Sequence, residues 1–583
     1  MATKESLPNS TAVCNNKSGD QNPHKKTDSK KVATTQNKMK NKFILFSLLL
    51  FTGYFSFAQC NSWMELSSPP GNLGAWSVAS DQNNNVYSTG KFNGSVSFGT
   101  ITLNNPTGSS SFYVNKFNSD GIVQWAIQFP VATNMPPPVI TEKNGYLYVA
   151  GAFADSIVIG SNTITGSGGY SIIFIKLDLN GNIISHSPQL GSSANVYAFT
   201  LGITVNSNDD VYLTGRLTGN FSFGSTLLSN SAGSYAYLVK LDSNLNPIWA
   251  IQSTSSIAAP LCRGWGISND NNSNIIICGY FQQDISFGTT TFTANNSIGG
   301  RNPFIAKFDS AGNCLWIRGG DGPLTFSPLY AVRTDASDNI YFTGAMDSTI
   351  TFGTNTLNPS NGSFYLCKYS SSGNLIWAHQ FGNSIPPFLQ APSSLAIDSY
   401  NNLWLSGWLD YDAATTFGTY QLATSGLFIA KLDLNGNFLD AIGSNGIVQT
   451  YSSALSPNGN LYLGGLTGND TISFEGNVMI DSTNINSDIV LKYCTNAVGI
   501  NENTIQEQIH IGPNPFTGNF NITLGSLSNA YLEIFSTFGE KIYGQNIYLP
   551  QTEINLSNQP NGIYFVHLKS NERALTRKII LAK

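Results

Sequence analysis

Charge is what this chain has least of. Asp, Glu, Lys and Arg make up 11% of its 583 residues, far below the roughly 25% usual in soluble proteins. The balance is slightly acidic, with a formal net charge of -5, so no basic footprint recommends a nucleic-acid partner. The one basic cluster, Lys25 to Lys31, lies in the N-terminal tail. Histidine is scarce as well: His24, His186, His379, His510 and His567 are the full set. No G-x-S-x-G or comparable nucleophile signature accompanies them. The seven cysteines include no CxxC pair or other zinc spacing.

An apolar run long enough to span a bilayer comfortably is missing too. The candidate, Phe43 to Phe51, follows Lys40 and Lys42 and precedes Ser56-Phe57-Ala58. A charged n-region, an apolar h-region and a small-x-small site read as a signal peptide over 39–58, cleaved after Ala58. Gln59 stands before Cys60, where a lipoprotein signal wants a small residue, so lipidation is not expected. Residues 1–38 are then a disordered extension or the product of a start assigned ahead of Met39. Export makes disulfides permissible, and no transmembrane anchor is expected.

Turn formers replace the missing charges, and 55 residues are glycine. A polar, uncharged, turn-rich mixture suits β-proteins with many hairpins. A glycine in the frame [VIL]-[YWI]-x-x-G returns seven times, as Gly90, Gly151, Gly215, Gly279, Gly344, Gly407 and Gly465. Such self-similarity marks a repeat architecture. In the first unit, Trp76 to Asp81, Val86 to Phe92, Phe112 to Phe117 and Ile122 to Phe129 alternate apolar and polar residues between Asn/Asp/Gly/Ser turns. They predict four strands, a to d. The fold class expected is all-β: a seven-bladed β-propeller over 59–494 with four-stranded blades, followed by a small sandwich.

Trp125, Trp249, Trp316 and Trp377 mark the fourth strand. Ser185 and Asp440 take that position in the second and sixth units, where poorer outer packing is expected. The seventh unit lacks a fourth strand after Tyr493, but Cys60-Asn-Ser-Trp63 at the other end matches its spacing. A strand borrowed from the N-terminus closes the ring without an open edge. The same alignment sets Cys60 opposite Cys494 across paired strands and predicts a disulfide between them. No pairing is predicted for Cys262, Cys278, Cys314 and Cys367.

These units resemble the β-propeller repeats of exported bacterial proteins, which read roughly N-x-Y-x-T-G-x-F…F-x-x-K-x-[DN]-x-x-G-x-x-x-W. After a polar linker, 495–508, the chain changes character. Gly512-Pro-Asn-Pro-Phe516, Phe520 to Leu524, Tyr531 to Phe535, Phe538-Gly539, Gly562 to Val566 and a basic end follow in order. Short strands and frequent turns over 509–583 suggest an Ig-like sandwich. The string resembles the type A C-terminal sorting domain of the type IX secretion system. That resemblance implies passage across the outer membrane, a partnership with the secretion machinery, and attachment to the cell surface or release.

Candidate chemistry is sparse. His186 and His379 fall on fourth strands of different units, a placement that argues against a catalytic pair. Asp178-Leu-Asn180-Gly-Asn182 and Asp433-Leu-Asn435-Gly-Asn437 look like half a calcium loop, but no closing Glu follows. A plain hairpin turn explains them. No cofactor is expected. Blade-linking and b–c loops are long and irregular, and loops on rigid scaffolds are where binding sits. Trp408, Asp410, Tyr411 and Asp412 form the least repeat-like patch, a candidate ligand-binding loop. The favoured reading is a non-enzymatic surface or secreted binding protein with an unknown extracellular ligand, such as a glycan or a protein. The alternative is an extracellular polysaccharide hydrolase or lyase; acids stand at Asp321, Asp410 and Asp412, but no matching base or nucleophile is found.

Overall fold

The computed structural model describes residues 62–583 apart from short segments, the longest being 69–73, 192–197, 325–330, 385–390, 410–414, 481–486, 496–509 and 524–529. The signal peptide, the N-terminal extension, Cys60 and most of the linker lie outside the described residues. The described chain is all-β.

Each repeat contributes four antiparallel strands in chain order. The third repeat shows the pattern cleanly: Ala198–Val205, Val211–Leu217, Tyr235–Leu241 and Pro247–Gln252 pair in succession. In the seventh, Val448–Leu455, Leu461–Thr467 and Ser487–Tyr493 pair in order. Its fourth strand is Trp63–Ser68, with Trp63 opposite Lys492 and Leu66 opposite Ile489. That register repeats Trp125 opposite Lys116 in the first unit, as the spacing of Cys60 to Trp63 predicted.

The repeat signature has a physical cause at nearly every letter. The aromatic after the first apolar residue of the second strand reaches back to the preceding turn. Tyr87 Oη donates to Asp81 Oδ2 at 2.7 Å, Tyr341 to Asp335 at 3.1 Å, and Trp404 Nε1 to Asp398 at 2.9 Å. The turn aspartate is itself a capped Asx turn: Asp81 Oδ1 accepts from the amides of Asn83 and Asn85. The repeat glycine answers a bulge in the first strand. The register slips between Thr200 and Gly202 and between Gly264 and Gly266. A Cβ on Gly215 would then lie 1.8 Å from the Phe199 carbonyl oxygen, and one on Gly279 lies 1.9 Å from that of Arg263.

Lysine and tryptophan couple one repeat to the next. Lys116 Nζ and Trp125 Nε1 both donate to the Leu179 carbonyl, in the c–d turn of the second repeat. Lys240 and Trp249 do the same to Ser310, and Lys307 and Trp316 to Ser371. The turn glycine lies flat on that indole: Cβ atoms on Gly181, Gly312 and Gly373 would press into Trp125, Trp249 and Trp316. Lys492 and Trp63 of the seventh repeat donate to Ser119 of the first, each at 2.9 Å. The same latch therefore joins the two ends of the array.

Two expectations need amendment. The b–c connections, expected as long irregular loops, contain short β-hairpins, such as Phe221–Phe223 with Thr226–Leu228, where Gly224 turns at φ +60. In the second repeat, where Ser185 replaces the tryptophan, the fourth strand is short (Ile183–His186), while the exposure of Ile184 equals that of Ile248 and Ile376 beside Trp249 and Trp377. In the sixth, Phe438 packs on Phe381 and Phe417 and compensates for Asp440.

The C-terminal strands form two antiparallel sheets. His510–Gly512, Asn519–Thr523 and Gln551–Asn555 make one; Lys541–Ile547, Ala530–Ser536, Gly562–Lys569 and Ala574–Leu581 make the other. They share a core that includes Phe516, Phe520, Leu532, Ile534, Val566 and Ile579. The Pro-Asn-Pro-Phe motif ties down the last strand: Asn514 Oδ1 accepts from the Ile580 amide at 2.8 Å, and Phe516 N donates to Ile580 O.

Candidate ligand face

Antiparallel pairing in a, b, c, d order puts the a–b and c–d turns at one end of each sheet. The b–c hairpins and inter-repeat links lie at the other. The first end is stitched across repeats by short polar bonds, such as Asn144 Nδ2 to Asp209 Oδ1 at 2.7 Å and Tyr462 Oη to the Asn84 carbonyl. There Asp178 and Asp433 spend their carboxylates on their own turns. Asp178 accepts from Asn180 N, Asn182 N and Asn182 Nδ2, and Asp433 from Asn435 N, Asn437 N and Asn437 Nδ2. These bonds hold both carboxyls below their ordinary range against the opposing effect of burial, and they account for the half-loop motif as a hairpin turn.

First strands from all seven repeats line one central cavity of about 400 Å³. Its wall is rich in hydroxyls, among them Ser77, Ser80, Thr334, Ser394 and Ser453, with Trp265, Glu142 and Arg333 the larger or charged contributions. Burial pulls the Arg333 guanidinium below its usual value, and its Nη1 donates to the Val332 carbonyl at 2.8 Å.

The sequence-derived loop is only partly within view. Trp408 is the next-to-last residue of the strand Leu403–Leu409, opposite Leu427, at 8% exposure. It is part of the sheet wall rather than an exposed stacking platform, and its indole N–H has no hydrogen-bond partner. Asp410, Tyr411 and Asp412 lie outside the described residues. His186 Nδ1 contacts the Ser187 carbonyl, and His379 stacks on Trp377 with centroids 4.6 Å apart; the two are on different sheets. Cys262, Cys278, Cys314 and Cys367 are free thiols, the first three pushed up to about 12, 12 and 11 by burial. Cys494 is buried at the end of the seventh repeat, with its amide on Ser62 Oγ. Its expected partner, Cys60, lies outside the described residues. Among the described residues no group of three His, Cys, Asp or Glu side chains is arranged to hold a metal.

What the sequence reading missed is a group of arginines at the link end of the third and fourth repeats. Arg216 follows the repeat glycine and lies opposite Phe199, its guanidinium 4.5 Å from that ring. Arg263 opens the next sheet opposite Tyr280, with Cζ 5.2 Å from the Trp265 ring and 5.8 Å from Tyr280. Arg301 approaches Tyr280 at 5.4 Å. A net charge of -5 hides such a cluster; a basic residue directly after a repeat glycine, seen at Lys91 and Arg216, was the available signal.

Comparison with known proteins bears on the two halves differently. A relative, an uncharacterized WD repeat-containing protein of Acanthamoeba polyphaga mimivirus, is 24% identical over 449 residues, which are 68% of this chain and 30% of that protein. The chain thus spans less than a third of that relative's length. Among solved structures, PorZ of Porphyromonas gingivalis, an essential bacterial surface component of its type-IX secretion system, covers 88% of this chain and 82% of its own at 11% identity and a TM-score of 0.22. A Dyadobacter fermentans protein of unknown function covers 74% and 99% at 9% identity and a TM-score of 0.34. Residues 510–582 match the secretion system C-terminal sorting domain. This chain carries that domain and is therefore an exported protein, secreted or attached at the outer-membrane surface.

Proposed function

We propose that the exported cargo is a closed seven-bladed β-propeller over 59–494 that acts as a binding protein, joined by the linker 495–508 to an Ig-like sorting domain at 509–583. The observation that carries this reading is the Lys492 and Trp63 latch onto Ser119, the same bond that joins neighbouring repeats. One cavity lined from all seven repeats supports it. A signal peptide at 39–58 and a Cys60–Cys494 disulfide belong to the same proposal. The proposed disulfide rests on the pairing of Trp63 with Lys492, two residues before Cys494.

Binding rather than catalysis is favoured because irregular links cluster at one end of a rigid array, while the polar groups at the other end are consumed in turns. In this proposal Asp410, Tyr411 and Asp412, which follow the strand Leu403–Leu409 in sequence, remain the candidate ligand contacts. The mature chain, screened against a glycan array and extracellular proteins, should show saturable binding without turnover. Hydrolysis or elimination of any polymer by the same preparation would install the polysaccharide-degrading alternative, and absence of any ligand would remove the binding reading.

A further inference from the structure

We propose that Arg216, Arg263 and Arg301 form an oxyanion site at the link end of the third and fourth repeats, and that its ligand is an acidic glycan bearing carboxylate or sulfate groups. This inference rests on the binding reading above and names its site and ligand class.

Three guanidiniums meet around three aromatic rings, and two of them share the single ring of Tyr280. None is in an ion pair among the described residues: the three ion pairs there join Lys240 to Asp210, Lys307 to Asp270 and Lys541 to Glu533. The Nε atoms of Arg216 and Arg263 are buried and have no hydrogen-bond partner. A donor withdrawn from water and left unmatched is costly, and three like charges in one place add repulsion. Burial lowers Arg263 below its usual value, and Arg216 and Arg301 push it down further. The rings beside the guanidiniums accept no conventional hydrogen bond, so the Nε–H groups of Arg216 and Arg263 stay unmatched. Planar forks with free edges match carboxylate and sulfate oxygens.

The glycan assignment follows from the surroundings. Trp265, beside which Arg263 lies, also lines the central cavity; on its wall the Ser77 and Thr334 hydroxyls donate to the Ile140 and Asn269 carbonyls and Ser394 pairs with Ser453, which leaves each hydroxyl oxygen with acceptor capacity for a ligand. A polyhydroxylated anion finds charge at one end and hydroxyl partners at the other. An acidic peptide would use only the first.

The test is calorimetric titration of the mature chain with hexagalacturonate, a sulfated chondroitin hexasaccharide, cellohexaose and a poly-glutamate peptide, alongside R263Q, R216Q and R263K. Binding of either acidic sugar, weakened at least tenfold in R263Q and R216Q and only in part restored in R263K, is the expected result; which sugar binds separates carboxylate from sulfate. The anion should also raise the wild-type melting temperature and leave that of R263Q unmoved. If the arginines only brace the sheets, R263Q melts lower and no acidic sugar binds. Preference for poly-glutamate over both sugars overturns the glycan class. Tight binding of cellohexaose unaffected by R263Q overturns this site but leaves the propeller a binder, and no binding of any probe or array ligand removes both readings.

Discussion

At the scale of single residues, the repeat glycines carry the sharpest expectation. Gly215 has no room for a methyl group because the bulged first strand brings the Phe199 carbonyl to within 1.8 Å of the Cβ position. Gly215→Ala should destabilise the repeat array by about 3 kcal/mol or more, since overpacking forces backbone shifts. Chemical denaturation of the two proteins measures this; equal midpoints would refute the bulge. The glycine was legible from its recurrence. The reason for it was not, because the carbonyl that excludes a side chain belongs to a strand whose bulge leaves no mark in the local pattern. The turn aspartates are the opposite case. Asp178 and Asp433 are held by donors two and four residues away, so sequence alone explains them.

Among elements, the borrowed strand Trp63–Ser68 matters most. Its tryptophan lies on the Gly121 turn, near Phe117 and Tyr462 with centroids about 6 Å away, and bonds the Ser119 carbonyl. Trp63→Ala should cost about 3 kcal/mol, in the range of large-to-small core substitutions, although the residue lies more than four hundred positions from its strand partner Lys492. Unfolding that leaves the other repeats' stability unchanged in hydrogen exchange would show that the strand is an appendage rather than a closure. Reduction should lower stability by about 2 to 4 kcal/mol if Cys60 and Cys494 are joined. Non-reducing peptide maps decide the point, and alkylation of both thiols in the oxidised protein would exclude the bond. This element was legible because its Trp spacing copies an internal repeat. The b–c hairpins were not, because strands of three or four residues are too short to display alternation.

For the whole molecule, the seam between the seventh and first repeats contains a buried acid. Tyr113 Oη donates to Asp488 Oδ2 at 2.8 Å, while Oδ1 has no partner. Burial raises the carboxyl from 3.8 to about 7. The folded chain therefore keeps a proton that the unfolded chain has released, so the contribution of this group is fullest below about 4 and is lost as pH climbs through 7. At about 1.4 kcal/mol per unit, the loss is on the order of 4 kcal/mol. Asp488→Asn should flatten the dependence and melt higher than wild type at pH 8; parallel melting curves at pH 5 and pH 8 in both proteins would contradict it. By itself, the sequence determined the number of repeats, their strand order, the borrowed strand and the sorting domain, because each is written in near-neighbour alternation, turn chemistry or motif spacing. Only the tertiary structure decided which side chains meet between repeats. Arg263 and Tyr280 lie on neighbouring strands of one sheet, Arg301 directly precedes the next strand of that sheet, and Arg216 lies on Phe199 in the sheet before it. Bringing the two groups together depends on how two twisted sheets lie side by side, which no local pattern encodes.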